Sequence, residues 1–200
     1  MSRLASSDFA PHFIRLGFVA AALGLGATTQ AALKSTDHFT LRELENAPKI
    51  TPRQFGNLFE FFRYDYSPYV QPVDEFLYNQ TGDCDDYALL ADYVLSRKGY
   101  RTRFIQVSLA GSDISHAICY VRENKAYLDY NNRKYTMNLE SAGPTLREIA
   151  EKVADSFEKN WTSATEYTFS YESYRKTSRY TVVKTDSPDQ DPDHRGPPSS

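Results

Sequence analysis

Cys84 is the residue best suited to covalent chemistry, and it lies in the stretch TGDCDDYALLADYV, residues 81–94. Three acids, Asp83, Asp85 and Asp86, stand directly beside it. A free cysteine is usually buried, because its side chain behaves as a small hydrophobic group. The flanking acids argue against a buried site, so the sequence raises the question whether the chain supplies partners for a reactive thiol.

A reactive thiol needs a base, and the chain has 4 histidines. His12 lies in an apolar N-terminal segment, His194 in a polar C-terminal tail, and His38 close to the predicted start of the mature protein. Only His116 lies inside a predicted core element. If Cys84 has a base it is therefore His116, which would stabilise the nucleophilic thiolate as an ion pair.

A predicted hairpin around His116 also supplies a carboxylate. A two-residue turn that pairs Arg122 with Lys125 places Asp129 opposite Ile118, on the same face as His116. Diagonal neighbours on one face lie about 7–8 Å apart at the backbone, within reach of a carboxylate-to-imidazole hydrogen bond. The sequence thus permits a nucleophile, a base and an orienting acid: Cys84, His116 and Asp129.

The second cysteine offers a competing interpretation. Cys119 is three residues from His116, so it points to the opposite face of the strand. If His116 faces the start of the Cys84 helix, Cys119 faces away from it and into the core. A Cys84–Cys119 disulfide, the default for two cysteines in an oxidising compartment, excludes a Cys84–His116 pair. Residue chemistry alone leaves both open, together with Cys119 as a small buried hydrophobe.

The elements that must position these residues follow from periodicity. The strongest helix prediction covers residues 83–98, with Asp83 and Asp86 spaced as a capping box and Gly99 at the end. Helical patterns also cover 34–63 and 145–160. Alternating patterns predict strands at 101–109, 115–122, 125–130, 166–172 and 180–183.

The ends of the chain and its charge narrow the class of protein. Residues 1–31 have the layout of a secretory signal peptide with a cut after Ala31, and an uncleaved anchor is the alternative. Residues 32–185 form the predicted domain, and 186–200 a disordered tail. We therefore expect a periplasmic or secreted protein without a membrane span after signal removal. A net charge of −3 without a basic block argues against a nucleic-acid partner.

The order of these motifs resembles the core of the transglutaminase-like cysteine-enzyme superfamily and is especially similar to bacterial transglutaminase-like cysteine proteinases. The resemblance runs from about Phe55 to Tyr130 and rests on GDCDDYA, Gly99-Tyr100, His116-Ala117 and Leu128-Asp129. It implies a papain-like α+β fold, with the nucleophile at the N-terminus of a helix packed on an antiparallel sheet. It also implies a catalytic role for Cys84, His116 and Asp129, and so favours the pair over the disulfide.

The resemblance leaves the oxyanion donor open. Candidates are the backbone N–H of Cys84 and the side chain of Tyr78 or Gln80. Thiol chemistry requires no cofactor, but certain periplasmic members bind calcium through acids flanking the nucleophile, and Asp83 and Asp85 match those positions. The alternative is that the acids cap the helix and that Asp85 is solvated.

The sequence therefore predicts an exported cysteine peptidase or amidase that hydrolyses a peptide or isopeptide bond through an acyl-enzyme. Its partner would be a protein or peptide substrate in the cell envelope. One alternative is a protein-glutamine acyltransferase that forms crosslinks, and another is a non-catalytic binding domain. Tyr64, Tyr66 and Tyr69 precede the site and fit either a half-buried sheet surface or a substrate groove.

Overall fold

The computed structural model describes residues 38–113, 115–133 and 139–185. The predicted signal peptide, residues 1–31, and the predicted tail, residues 186–200, lie outside the described residues, so both stay predictions. Within the described ranges every helix is too short or too polar to cross a bilayer.

The predicted helical region at 34–63 is wrong as a continuous element. The structure has two short helices there, α1 (Leu41–Asn46) and α2 (Pro52–Leu58). The chain leaves the helical conformation at Ala47, with ψ 120°, because the ring of Pro48 disfavours the α region for the residue before it. Each short helix begins with a capping box.

The segment before Cys84 holds three small elements that were not predicted from the sequence. They are β1 (Arg63–Tyr64), α3 (Val73–Asn79) and β2 (Thr81–Gly82). The two strands pair in parallel, so a remote part of the chain is fixed beside the nucleophile. A Cβ atom at Gly82 would lie 2.6 Å from the Phe76 ring and 2.7 Å from Asp86 Oδ2, so only glycine fits this approach.

The predicted helix after Asp83 is confirmed as α4 (Cys84–Arg97). Asp83 and Asp86 form the predicted capping box, in which each side chain accepts a hydrogen bond from the other end of the first turn. The apolar stripe of α4 is fully buried: Tyr87, Leu90, Ala91, Val94 and Leu95.

A six-stranded antiparallel sheet forms the centre of the domain. In chain order its strands are β3 (Thr102–Leu109), β4 (Ser115–Val121), β5 (Ala126–Leu128), β6 (Glu140–Ser141), β7 (Trp161–Ser170) and β8 (Arg175–Val183). In the sheet they lie in the order β6-β5-β4-β3-β7-β8. Helix α5 (Leu146–Ser156) precedes β7, and both late strands begin earlier than predicted. Helices packed on an antiparallel sheet confirm the predicted α+β class.

The predicted register of the β4–β5 hairpin is confirmed. Val121 pairs with Ala126 and Cys119 with Leu128, as a turn that aligns Arg122 with Lys125 requires. The connection is a short 3-10 helix, Arg122–Asn124, closed by Lys125 in the left-handed conformation with φ 46°. The parity on which the position of Asp129 depends is therefore kept.

The sheet is covered on both faces. Helix α4 packs on a cluster that contains Phe104, Ala117, Cys119, Val121 and Leu128. Helix α5 packs on the other cluster, formed by alternate residues such as Ile105, Val107, Ile118, Tyr120 and Tyr127. Burying each large apolar side chain stabilises the fold by roughly 1.5–3 kcal/mol, so both layers hold the sheet in place.

The predicted direction of Cys119 is only half right. Its side chain is buried in the core, as expected, but it lies in the cluster under α4 and not away from that helix. Strand alternation fixes only which residues share a face, and α4 covers the face of Cys119. The residue of β4 that lies beside the Cys84 thiol is His116, the second residue of the strand, which is near the start of α4.

Candidate active site

The clearest polar pair in the site joins His116 and Asp129. His116 Nε2 lies 2.9 Å from Asp129 Oδ2, and the two side chains are only 8% and 1% exposed. Asp129 directly follows β5 and caps the 3-10 turn Tyr130–Asn132, where its Oδ1 accepts a hydrogen bond of 2.8 Å from the Asn131 N–H. Both carboxylate oxygens are therefore engaged, which fixes the plane of the acid and of the ring.

The Cys84 side chain lies close enough to His116 to contribute to the raised pKa of the imidazole. Because Nε2 of the ring is directed at Asp129, Nδ1 is the nitrogen left for the thiol. Cys84 and Cys119 are both free thiols, so the two sulfurs are not joined. The structure thus brings together the three residues that the sequence analysis selected.

The electrostatics favour a protonated imidazole. Burial alone would lower the pKa of His116. The charge of Asp129, its hydrogen bond and the Cys84 side chain outweigh this effect and raise the pKa to about 10. At neutral pH the ring therefore carries a positive charge beside the sulfur, which stabilises a thiolate. Cys84 is also the first residue of the 14-residue helix α4, whose N-terminal dipole acts in the same direction.

The flanking acids hold a neighbouring segment in place. Asp83 Oδ1 accepts from the Asp85 N–H at 3.1 Å, and its Oδ2 accepts from the Ser67 N–H at 3.1 Å. Asp86 accepts from the Asp83 N–H at 3.1 Å and from two nitrogens of Gln71, at 2.7 and 2.8 Å. The capping role predicted for these acids is confirmed, and the same carboxylates tie residues 67–71 to the start of α4.

Asp85 differs from its neighbours. Its side chain is only 17% exposed, whereas the capping alternative expects a solvated carboxylate. Its Oδ2 lies 3.4 Å from Lys176 Nζ of β8, and its Oδ1 is buried with no hydrogen-bond partner among the described residues. Burial raises the pKa of Asp85 to about 7, aided by the neighbouring carboxylate of Asp83.

The acidic cluster fits a hard cation. Each of Asp83, Asp85 and Asp86 offers one oxygen within 4.8 Å of the others, and carboxylate oxygens are ligands that calcium prefers. The buried, unpartnered Oδ1 of Asp85 is the particular atom that a cation would satisfy.

The two side chains predicted as oxyanion donors lie on and after α3. Tyr78 is 74% exposed, and its ring stacks on His38 with centroids 5.6 Å apart. Gln80 ends α3 in the left-handed conformation with φ 53°, and its carbonyl accepts from the Arg63 N–H at 2.8 Å.

Sequence reasoning missed several residues that surround the site. Phe157 packs its ring on His116 with centroids 4.7 Å apart. Gln71 and Lys176 bind the acids from segments 15 and 91 residues away along the chain. No local pattern marks these three residues, because each is placed by tertiary contacts alone.

Comparison with known proteins identifies the family to which the chain is similar. A family model described as the transglutaminase-like domain matches residues 45–153. Legionella pneumophila LapG in its calcium-bound form is similar, with 17% identity over 62% of this chain and 68% of that chain and a TM-score of 0.41. The EGTA-treated form gives 15% identity, 70% and 76% coverage and a TM-score of 0.43. No curated protein matches the chain.

The matched region spans more than half of the 200 residues and contains Cys84, His116 and Asp129. The resemblance inferred from the motif order is therefore confirmed at the level of the superfamily. The chain belongs to the transglutaminase-like domain family.

Proposed function

We propose that the protein is an exported cysteine peptidase or amidase that hydrolyses a peptide or isopeptide bond. The observation that carries the proposal is the buried His116–Asp129 pair, with Nε2 and Oδ2 2.9 Å apart, beside the Cys84 side chain, which acts on the same imidazole. A nucleophile, a base and an orienting acid in this order are the parts that acyl transfer through a thiol requires.

The first half-reaction forms the acyl-enzyme. The Cys84 thiolate attacks the carbonyl carbon, a C–S bond forms, and the π electrons move onto the carbonyl oxygen. As the first residue of α4, Cys84 has an N–H without a partner in the helix, and this N–H donates to the oxyanion. His116 gives its proton to the leaving nitrogen as the C–N bond breaks, and Asp129 holds the ring in place.

The second half-reaction regenerates the enzyme. Neutral His116 takes a proton from water while the oxygen attacks the thioester carbon, and breakage of the C–S bond returns the thiolate beside the imidazolium. In the crosslinking alternative an amine replaces water at this step. The residues of the site are the same in both cases, so the acceptor decides between them.

Calcium belongs to this proposal as a structural ion. Asp83 and Asp85, joined by Asp86, would hold it, and Asp85 Oδ1 would gain the partner that it lacks among the described residues. When bound, the ion supplies positive charge that offsets three carboxylates beside the nucleophile. The segment at 67–71 depends on the same acids, so the ion would also steady that segment.

The proposed compartment and substrate follow from the N-terminal segment. An apolar run at residues 13–27, with arginines before its core, is typical of a secretory signal. A protein or peptide of the cell envelope is then the substrate class that the mature enzyme would meet.

The experiment compares the full chain and its Cys84→Ala variant on native envelope proteins, with mapping of newly formed protein N-termini and crosslinks. Cys119→Ala, which removes the buried thiol, is the matched control. New N-termini that require Cys84 but not Cys119 support hydrolysis, and crosslinks with the same requirement support acyl transfer. An unchanged proteome, or changes that persist in Cys84→Ala, would refute the enzymatic proposal.

A further inference from the structure

Tyr64 is held beside the nucleophile by its backbone. In the parallel β1–β2 pair Tyr64 is the partner of Gly82, two residues before Cys84. The Arg63 N–H donates to the Gln80 carbonyl at 2.8 Å, and the Asp65 N–H donates to the Gly82 carbonyl at 2.9 Å. Hydrogen bonds on both sides of Tyr64 thus fix its Cα relative to the start of α4.

The ring of Tyr64 packs towards the other half of the site. Its centroid lies 6.4 Å from that of Tyr130, the buried residue that directly follows Asp129. The Tyr130 hydroxyl donates to the Arg63 carbonyl at 2.8 Å, so β1 is also tied to the segment of the orienting acid. Tyr64 therefore lies between the nucleophile segment and the Asp129 segment and is held by both.

The phenol group remains available to a substrate. Tyr64 is 54% exposed, so a substrate can reach its side chain. Burial raises its pKa, and the charges of Cys84 and Asp83 raise it further. The hydroxyl therefore keeps its proton at neutral pH and can only donate when an oxyanion forms near the sulfur.

We propose that the Tyr64 hydroxyl is the side-chain donor of the oxyanion site, acting with the backbone N–H of Cys84 on the oxygen of the attacked carbonyl. This assignment rests on the proposed function, because it needs Cys84 to form a tetrahedral intermediate. It assigns to Tyr64 the role that the sequence suggested for Tyr78 or Gln80. Tyr78 is engaged with His38, whereas the backbone of Tyr64 is paired with Gly82, two residues before Cys84.

The test uses p-nitrophenyl acetate, whose carbonyl is attacked through an oxyanion, and iodoacetamide, which alkylates sulfur without one. In Tyr64→Phe, which keeps the ring and removes the hydroxyl, we expect the rate of acylation to fall roughly 100-fold, as for loss of one oxyanion donor. The rate of Cys84 alkylation should stay within about twofold, because the thiolate is unaltered. Tyr174→Phe, a tyrosine that is 48% exposed in the turn between β7 and β8, is the matched control and should retain the acylation rate.

Three results would overturn the assignment. Acylation in Tyr64→Phe at the parent rate removes the donor role, and so does a loss that appears in Tyr78→Phe instead. An equal fall in acylation and alkylation shows that Tyr64 positions the nucleophile and does not bind the oxyanion. Failure of the proposed function would give a different result from failure of the Tyr64 assignment. In that case Cys84→Ala would release p-nitrophenolate as fast as the parent chain.

Discussion

Gln71 donates two hydrogen bonds to Asp86, from its backbone nitrogen at 2.7 Å and from its side-chain amide at 2.8 Å. The same carboxylate accepts from the Asp83 N–H as part of the capping box of α4. One acid thus completes a helix terminus and fixes a segment 15 residues earlier in the chain. The acids around Cys84 are structural parts of the site before any metal is considered.

The first prediction concerns stability. Asp86→Ala removes a capping partner, worth about 0.5–2 kcal/mol, and two hydrogen bonds from a charged acceptor to Gln71. We expect the free energy of unfolding to fall by about 2–4 kcal/mol in urea titrations with a chelator present. Asp85→Ala is the matched control and should cost less than about 1 kcal/mol, because its ion-pair partner Lys176 is 3.4 Å away and partly exposed. Equal losses in the two variants would contradict this account.

The contrast between local and distant contacts explains what the sequence could predict. Helix α4 and the β4–β5 register follow from a capping box, a 3.6-residue stripe and strand parity, all encoded within a few residues. The break at Pro48 was also readable, since a proline restricts the residue before it.

Other features depend on tertiary contacts. Strand parity defines two faces of β4 but does not say which face α4 covers. For this reason the sequence predicts that Cys119 faces away from α4, whereas it lies on the face that α4 covers. The place of Tyr64 depends on a parallel pair of two-residue strands, which carries no periodicity. Lys176 reaches Asp85 from a strand outside the region matched by the family model.

The second prediction concerns pH. The folded-state pKa of His116 is raised from 6.5 to about 10, so the folded chain binds an extra proton between these values. The resulting stability is fully present below about pH 6.5 and is lost as the pH rises towards 10. Since Asp129 is the main cause of the rise, the slope should be flatter in Asp129→Asn. Urea unfolding from pH 6 to pH 10 in about ten steps measures both slopes, and parallel curves would argue against the ion pair.

The third prediction concerns the orienting role of Asp129. Its two carboxylate oxygens accept from the imidazole and from the Asn131 N–H, so an asparagine, which has one acceptor oxygen, cannot serve both. We expect acylation in Asp129→Asn to fall roughly 10⁴-fold, as in a triad whose orienting acid becomes an amide. Stopped-flow release of p-nitrophenolate gives the rate. An Asp129→Asn variant as fast as the parent chain would mean that the 2.9 Å contact does not orient His116 for catalysis.

The fourth prediction concerns calcium and Lys176. The ammonium group lies 3.4 Å from Asp85 Oδ2, so it competes with a cation for the same carboxylate. After treatment with a chelator, added calcium should raise the melting temperature, and Lys176→Met should bind calcium several-fold more tightly in isothermal titration calorimetry, because the competing charge is gone. Arg175→Met removes an exposed positive charge from the adjacent position of β8 and should leave the dissociation constant close to the parent value.

If calcium changes neither the melting temperature nor the heat signal, the cluster is a helix cap alone. If both methionine variants gain affinity equally, the effect is general electrostatics and not competition at Asp85.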